Sequence, residues 1–130
     1  MPADLVSVCV PAFRAEATLG ATIESVLAQT HTDWELVVVD DHSDDATLDV
    51  ARSFDDPRIR VVAEPDNVGR GANFERAYQA TRGDYVKLLC ADDLIPPPCL
   101  EAQLAVLRAE PDVVLTAARR DIVDGAGAVV

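Results

Sequence analysis

Glycine is scarce in this chain, six residues in 130, and no G-x-G-x-x-G run follows the first apolar segment, so a dinucleotide-binding fingerprint is missing. Lysine occurs once, at Lys87, and the formal net charge is -12. That balance disfavours nucleic acid and anionic membrane surfaces as partners. The three cysteines, Cys9, Cys90 and Cys99, have no paired zinc spacing and no even count to suggest a disulfide framework, so reduced thiols are expected. No apolar run approaches the roughly 20 residues that span a bilayer, and Met1-Pro2-Ala3-Asp4 lacks the charged head of a signal peptide. A cytoplasmic protein without a transmembrane segment is expected, at most resting at the inner face of the membrane.

What is present is enough for one core. Residues 1–130 have the length of a single domain, and 49% of them are hydrophobic. Leu5 to Val10 reads as a strand that Pro11 ends, because proline has no hydrogen to give a ladder. Leu19, Ile23, Val26 and Leu27 fall at helical spacing between Ala17 and Gln29. Trp34 to Val39 reads as a second strand running into Asp40-Asp41-His42-Ser43-Asp44-Asp45, whose acids suit the N-terminus of a helix from Asp45 to Ser53. Ile59 to Ala63 is a third strand. A third helix follows Asn67-Val68-Gly69, with Phe74, Ala77, Tyr78 and Thr81 on one face and Gly83 as its stop.

The fourth strand, Tyr85 to Leu89, reads as buried and ends on Cys90-Ala91-Asp92-Asp93. A fourth helix carries Leu100, Leu104 and Leu107, and Glu110-Pro111-Asp112 closes it. Val113 to Ala118 reads as a fifth strand, and Asp124-Gly125 marks a hairpin turn between Ile122-Val123 and Val129-Val130. Strand alternating with helix predicts an α/β fold with a mostly parallel sheet and helices on both faces.

In such sheets ligands bind outside the carboxyl ends of the strands. Two strands here end on acids there. Asp92 and Asp93, side by side after the fourth strand, suit a hard divalent cation that keeps one or two carboxylates together with substrate phosphates. A solvated acidic loop is the competing interpretation, since short acidic motifs recur by chance.

The order of these signals resembles the nucleotide-binding part of family 2 glycosyltransferases. It is carried by Val6-Ser7-Val8-Cys9-Val10-Pro11-Ala12-Phe13 with Glu16, by Trp34 to Asp45, by Asn67-Val68-Gly69, by Arg82-Gly83-Asp84-Tyr85, and by Leu89-Cys90-Ala91-Asp92-Asp93. The resemblance implies a GT-A fold, a Rossmann-like arrangement, incomplete after the C-terminal hairpin. It implies inverting, metal-dependent transfer of a sugar from a nucleotide-diphosphate sugar to an acceptor hydroxyl on a glycan, lipid or protein, as in cell envelope polysaccharide synthesis.

The same resemblance implies residue roles. Pro11, Ala12, Phe13 and Glu16 would line the nucleoside pocket, Asp40 would accept from the base, and Asp41 would support its loop. Asn67, Gly69 and Arg70 would pass close to the nucleotide, although Asn67 and Gly69 equally suit a helix-entry turn. Asp92, assisted by Asp93, would hold magnesium or manganese in a DXD-like motif in which Cys90 replaces the first acid. Phe74 stands where the family commonly has an arginine, so Arg70 or Arg76 would supply positive charge. The catalytic base is expected beyond Val130, and an exposed strand edge at the C-terminus is expected to favour self-association.

Three other assignments compete. A nucleotide-sugar-binding domain without turnover shares every feature above. A phosphoacceptor receiver domain fits length and order, but its acids follow the first and third strands and its lysine the fifth, whereas Lys87 lies inside a strand. Sugar-nucleotide pyrophosphorylases share the sheet type, but their basic, glycine-rich opening loop has no counterpart here.

Overall fold

The computed structural model describes residues 4–130; the N-terminal Met1-Pro2-Ala3 noted above lies outside them. The strands are β1 (Val6–Ala12), β2 (Trp34–Asp40), β3 (Ile59–Ala63) and β4 (Tyr85–Leu88). The helices are α1 (Leu19–Leu27), α2 (Thr47–Arg52), α3 (Arg70–Gln79) and α4 (Cys99–Ala109). All the strands are parallel, in the order β3-β2-β1-β4. The chain therefore winds outward from β1 through β2 to β3, then returns to place β4 on the other side of β1. That reversal makes the β1–β4 boundary a topological switch point, where open α/β sheets form a crevice.

Alternation along β1 and β2 sends side chains to two cores, as the two-residue period of a strand requires. Val6, Val8, Val10, Leu36 and Val38 face α1, α2 and α4, meeting Leu19, Ile23, Val26, Ala51, Leu100 and Leu104. Cys9, Val37 and Val39 face the opposite side, against Ala77 of α3. Helices thus cover both faces. Burial also raises the Cys9 thiol to about 11, outweighing a backbone hydrogen bond, so Cys9 is a neutral core residue.

Several expectations need correction. Val113 to Ala118 is irregular and forms no strand; Val114 and Leu115 are more than four-fifths exposed, so no second layer covers them. The C-terminal hairpin is reduced to one antiparallel bridge, Val123 to Val129. Its Asp124 turn is present, with the carboxylate accepting from the Ala126 and Ala128 N–H groups. On β4, Val86 and Leu88 are exposed, because it is an edge strand whose outward face lies beyond the reach of α3. Of the expected α3 face, Ala77 is buried, Phe74 and Thr81 are half-buried and Tyr78 is exposed, while Asn73 is the other buried residue of the helix. Pro11 lies inside β1 opposite Val39, and the β1–β4 register stops earlier, at Cys9 opposite Leu88. Among the described residues no helix is long and apolar enough to cross a membrane.

A buried polar knot fixes the approach to β4. Ser7 Oγ donates to Glu35 Oε1 at 2.6 Å and accepts from the Gly83 N–H at 2.7 Å. Burial alone would raise the Glu35 carboxyl, but bonds from Ser7 and the Arg82 N–H, with Arg60 nearby, hold it below its ordinary value. A depressed carboxyl stabilises the fold above the unfolded pKa and loses that contribution as pH falls through the folded value. Acid titration of stability should therefore be shallower in Glu35→Gln than in the wild type below the ordinary carboxylate range.

The same knot makes a glycine obligatory. A Cβ at Gly83 would stand 2.6 Å from the Leu5 carbonyl oxygen and 2.8 Å from the Ser7 nitrogen, both backbone atoms. Gly83→Ala should cost about 1–3 kcal/mol, the range for forced overpacking. Gly71→Ala, in α3 with nothing within 4 Å, should be neutral or stabilising by up to about 1 kcal/mol. Urea unfolding of the two variants checks both values.

Candidate functional site

The segments leaving the carboxyl ends of β1, β2 and β4 enclose a cavity of about 570 Å³. Pro11, Ala12, Phe13, Arg14, Ala15 and Thr18 form the wall after β1; Asp41 follows β2. Asn67, Gly69, Arg70, Asn73 and Phe74 come from the entry to α3, and Cys90, Ala91 and Asp92 from the segment after β4. Of the residues nominated from sequence, Pro11, Ala12, Phe13, Asp41, Asn67, Gly69, Arg70 and Asp92 line one space. Glu16, Asp40 and Asp93 do not touch it directly.

Asp40 and Glu16 act at one remove. Asp40 is 2% exposed, and its two oxygens accept from the Ser43 N–H (3.1 Å) and hydroxyl (2.6 Å). Ser43 Oγ in turn accepts from the Arg14 N–H at 3.0 Å. Glu16 accepts from the Ala46 N–H, and the Ala15 N–H donates to Thr47 Oγ1. The loop after β1 is therefore bolted to the loop after β2. Arg14 and His42, one on each loop, adopt left-handed backbone at φ 49° and 59°. Non-glycine residues held there cost of order 1–2 kcal/mol, a strain that persists only where surrounding bonds enforce it.

Asp41 is 1% exposed and uses both carboxylate oxygens, accepting from the Val68 N–H (2.8 Å) and the Gly69 N–H (3.0 Å). Asn67 Nδ2 donates to the Asp41 carbonyl. Gly69, at φ 88°, caps α3 in a conformation that a side chain would strain. Asn67 and Gly69 thus form the helix-entry turn and also stand on the cavity wall. Arg70, the first residue of α3, is exposed over the cavity with its guanidinium 5.7 Å from the centre of the Phe74 ring. Arg76 instead lies 3.3 Å from Glu64. Of the two arginines considered from sequence, Arg70 is the one at the cavity.

Sequence reasoning missed what positions the acidic pair. The hydroxyls of Thr18 and Thr22 both donate to the Ala91 carbonyl at 3.0 Å. Gln29, 5% exposed, donates to the Ile95 and Pro96 carbonyls and accepts from the Leu100 N–H. Helix α1 and the residues flanking it, Thr18 and Gln29, thus hold the turn from Ala91 to Leu100. The available signal was polar residues interleaved with an apolar stripe, Thr22 beside Ile23 and Gln29 after Val26.

Asp92 and Asp93 are exposed, and one ligand atom from each, with Cys90 Sγ, lies within 4.8 Å of the others. Burial first, then the Asp93 and Asp92 charges, push the Cys90 thiol above its ordinary value, with Arg70 working against them. Two carboxylate oxygens on an exposed turn, open to solvent and phosphate ligands, fit a magnesium- or manganese-type ion. A neutral thiol adds little to that ion.

Comparisons with known proteins fit this geometry. The model of Glycosyl transferase family 2 matches residues 7–128. A putative teichuronic acid biosynthesis glycosyltransferase, TuaG of Bacillus subtilis, is 38% identical over 102 residues, covering 77% of this chain and 40% of that protein. S. aureus TarS 1-349, solved in complex with UDP-GlcNAc, superposes with a TM-score of 0.76 at 26% identity, over 82% of this chain and 32% of that one. The mannosyltransferase PcManGT of Pyrobaculum calidifontis, solved with GDP-Man and Mn2+, gives 0.74 at 25% identity, over 87% and 37%. The chain spans about 40% of the length of the first curated relatives it matches.

Because Thr22 is fully buried, replacing its hydroxyl removes a donor that no water replaces. Thr22→Val, nearly the same shape, should cost about 1–2 kcal/mol. Amide exchange should speed up most at Asp92 and Asp93 rather than in the sheet, which hydrogen-exchange mass spectrometry of that peptide would detect.

Proposed function

The chain belongs to glycosyl transferase family 2, and from that premise we propose that its cavity takes the nucleoside diphosphate part of a sugar donor, with a divalent cation at Asp92 and Asp93. The carrying observation is convergence: an aromatic wall, the Arg70 side chain and the Asp92 carboxylate, with Asp93 beside it, meet at the switch point of a parallel sheet. The complexes in which its structural relatives were solved, one with UDP-GlcNAc and one with GDP-Man and Mn2+, support donor and cation alike.

In this proposal Phe13 and the backbone of Pro11 and Ala12 flank the base. Asp41 keeps the Asn67–Gly69 turn in place, and Asp40 and Glu16 hold the loop after β1 through Ser43 and Ala46. Arg70 answers phosphate charge, as a guanidinium with no ion-pair partner among the described residues. The cation would supply charge stabilisation to the leaving diphosphate. We take the transfer to be inverting, which requires a base for the acceptor hydroxyl. The cavity-wall acids are Asp41, whose oxygens are both engaged, and Asp92, assigned to the cation. The base is therefore sought outside the described residues, and the acceptor is a hydroxyl of a glycan, lipid or protein.

Calorimetry with uridine, guanosine and thymidine diphosphates, with and without manganese, tests the reading. Binding of at least one of them, strengthened by manganese, is expected; no binding under any condition overturns it. Asp92→Asn should erase the manganese-dependent gain, about tenfold or more. Asp40→Asn should weaken binding equally with and without manganese. Arg70→Gln should weaken the diphosphate more than the nucleoside. Identical behaviour of the Asp92 and Asp40 variants would sink the assignment of separate roles. These 130 residues, supplied with donor and acceptor, should bind donor without acceptor-dependent transfer.

A further inference from the structure

Three arginines of this acid-rich chain stack on aromatic rings: Arg58 on Trp34, Arg14 on Phe13 and Arg70 on Phe74, at 3.8, 5.0 and 5.7 Å from the ring centres. Arg58 and Arg14 each hold a carboxylate as well, Asp56 and Asp44. Arg70 has the ring and, among the described residues, no ion-pair partner. Carboxylates are nonetheless at hand. Arg70 lines the same cavity as Asp92, both Asp92 and Asp93 are exposed, and the guanidinium charge reaches the Cys90 thiol on their turn. Opposite charges attract, so an untethered guanidinium there would settle on the acid pair.

Phe74 supplies the tether. It stands one helical turn after Arg70 in α3, and a helical side chain leans toward the N-terminus, which lays the ring over the turn from which Arg70 projects. Phe74 is half-buried, on a helix packed against the sheet through Ala77 and bonded to it through Asn73, so the ring is a fixed surface and the guanidinium is the movable part. A cation over an aromatic face and an exposed ion pair are of comparable strength, so a ring in the right place decides between the two.

We propose that Phe74 is a positioning residue: its ring holds the Arg70 guanidinium off Asp92 and Asp93, leaving the arginine free for phosphate and the carboxylates free for a cation. This deepens the reading in which Asp92 and Asp93 take the cation, and rests on it. Without the ring, arginine and metal compete for the same two carboxylates, and each gain in one is a loss in the other.

Binding of Mn2+ alone to the 130-residue protein, read as loss of the free-ion signal in electron paramagnetic resonance, tests the proposal in a double-mutant cycle. Phe74→Leu should weaken Mn2+ binding about two- to fivefold, the equivalent of one exposed cation–π contact, whereas Phe74→Tyr should leave it unchanged. In an Arg70→Gln background the same Phe74→Leu change should have no effect, because no guanidinium remains to occupy the acids. If Phe74 served only to pack α3, its loss would weaken Mn2+ binding equally with and without Arg70; that result overturns the proposal, as does undiminished binding in Phe74→Leu. In unmodified, metal-free protein, nuclear Overhauser contacts between the Phe74 ring protons and the Arg70 side chain should be present, a readout that does not depend on any variant folding. Their absence also overturns it. Failure of the wild type to bind Mn2+ at all is a different result: it removes the cation reading of Asp92 and Asp93, and the role of Phe74 with it.

Discussion

Two threonine hydroxyls, one at the N-cap of α1 and one within it, meet at a single carbonyl, that of Ala91, and the usefulness of the cavity depends on that meeting. An exposed turn bearing two adjacent carboxylates repels itself and has no apolar reason to hold one shape. Here α1 lies on the β1–β2 face with Leu19, Ile23 and Val26 buried beneath it, so Thr22 and Ser25 within it, and Thr18 and Gln29 flanking it, are carried on a rigid body. Hydrophobic burial fixes the helix; the helix fixes the turn; the turn presents Asp92 and Asp93. Removing the first link would leave the acids in the sequence and remove them from the site.

The loops after β1 and β2 follow another logic, in which carboxylates act as structural acceptors. Asp40 serves Ser43, Asp41 serves Val68 and Gly69, and Glu16 serves Ala46. A strongly acidic chain thus spends several of its negative charges on its own backbone N–H groups, which leaves few of them facing the cavity. Arg70, exposed at the mouth, is the positive charge set against the exposed Asp92 and Asp93 on the turn after β4.

The strands were legible because their apolar runs are dense and bounded by acids, proline or glycine, and β3 falls on the expected residues. The cavity was legible in outline, since residues at strand ends must gather at one edge of a parallel sheet. Which acids face that edge was not legible: Asp40 and Asp41 are neighbours in sequence, and only the turn at His42 decides that one is spent on Ser43 and the other on Gly69. The Thr18 and Thr22 contacts escaped because they link residues about 70 positions apart. Val113 to Ala118 misled because β-branched residues favour strands only where a neighbouring strand and a packed face exist, and here neither does.

The strand order carries a consequence for how the molecule comes together. Val6 faces Trp34 on one side and Tyr85 on the other, a partner nearly three times as far along the chain. Closing the longer loop costs about 1 kcal/mol more, at about 0.6 kcal/mol per doubling. β1, α1, β2 and β3 can therefore assemble as a local unit, with β4 docking last through a short ladder that ends at Cys9 opposite Leu88. The cavity lies along that last seam. A ligand that touched both sides of that seam would stabilise the docking of β4 as well as occupy the cavity.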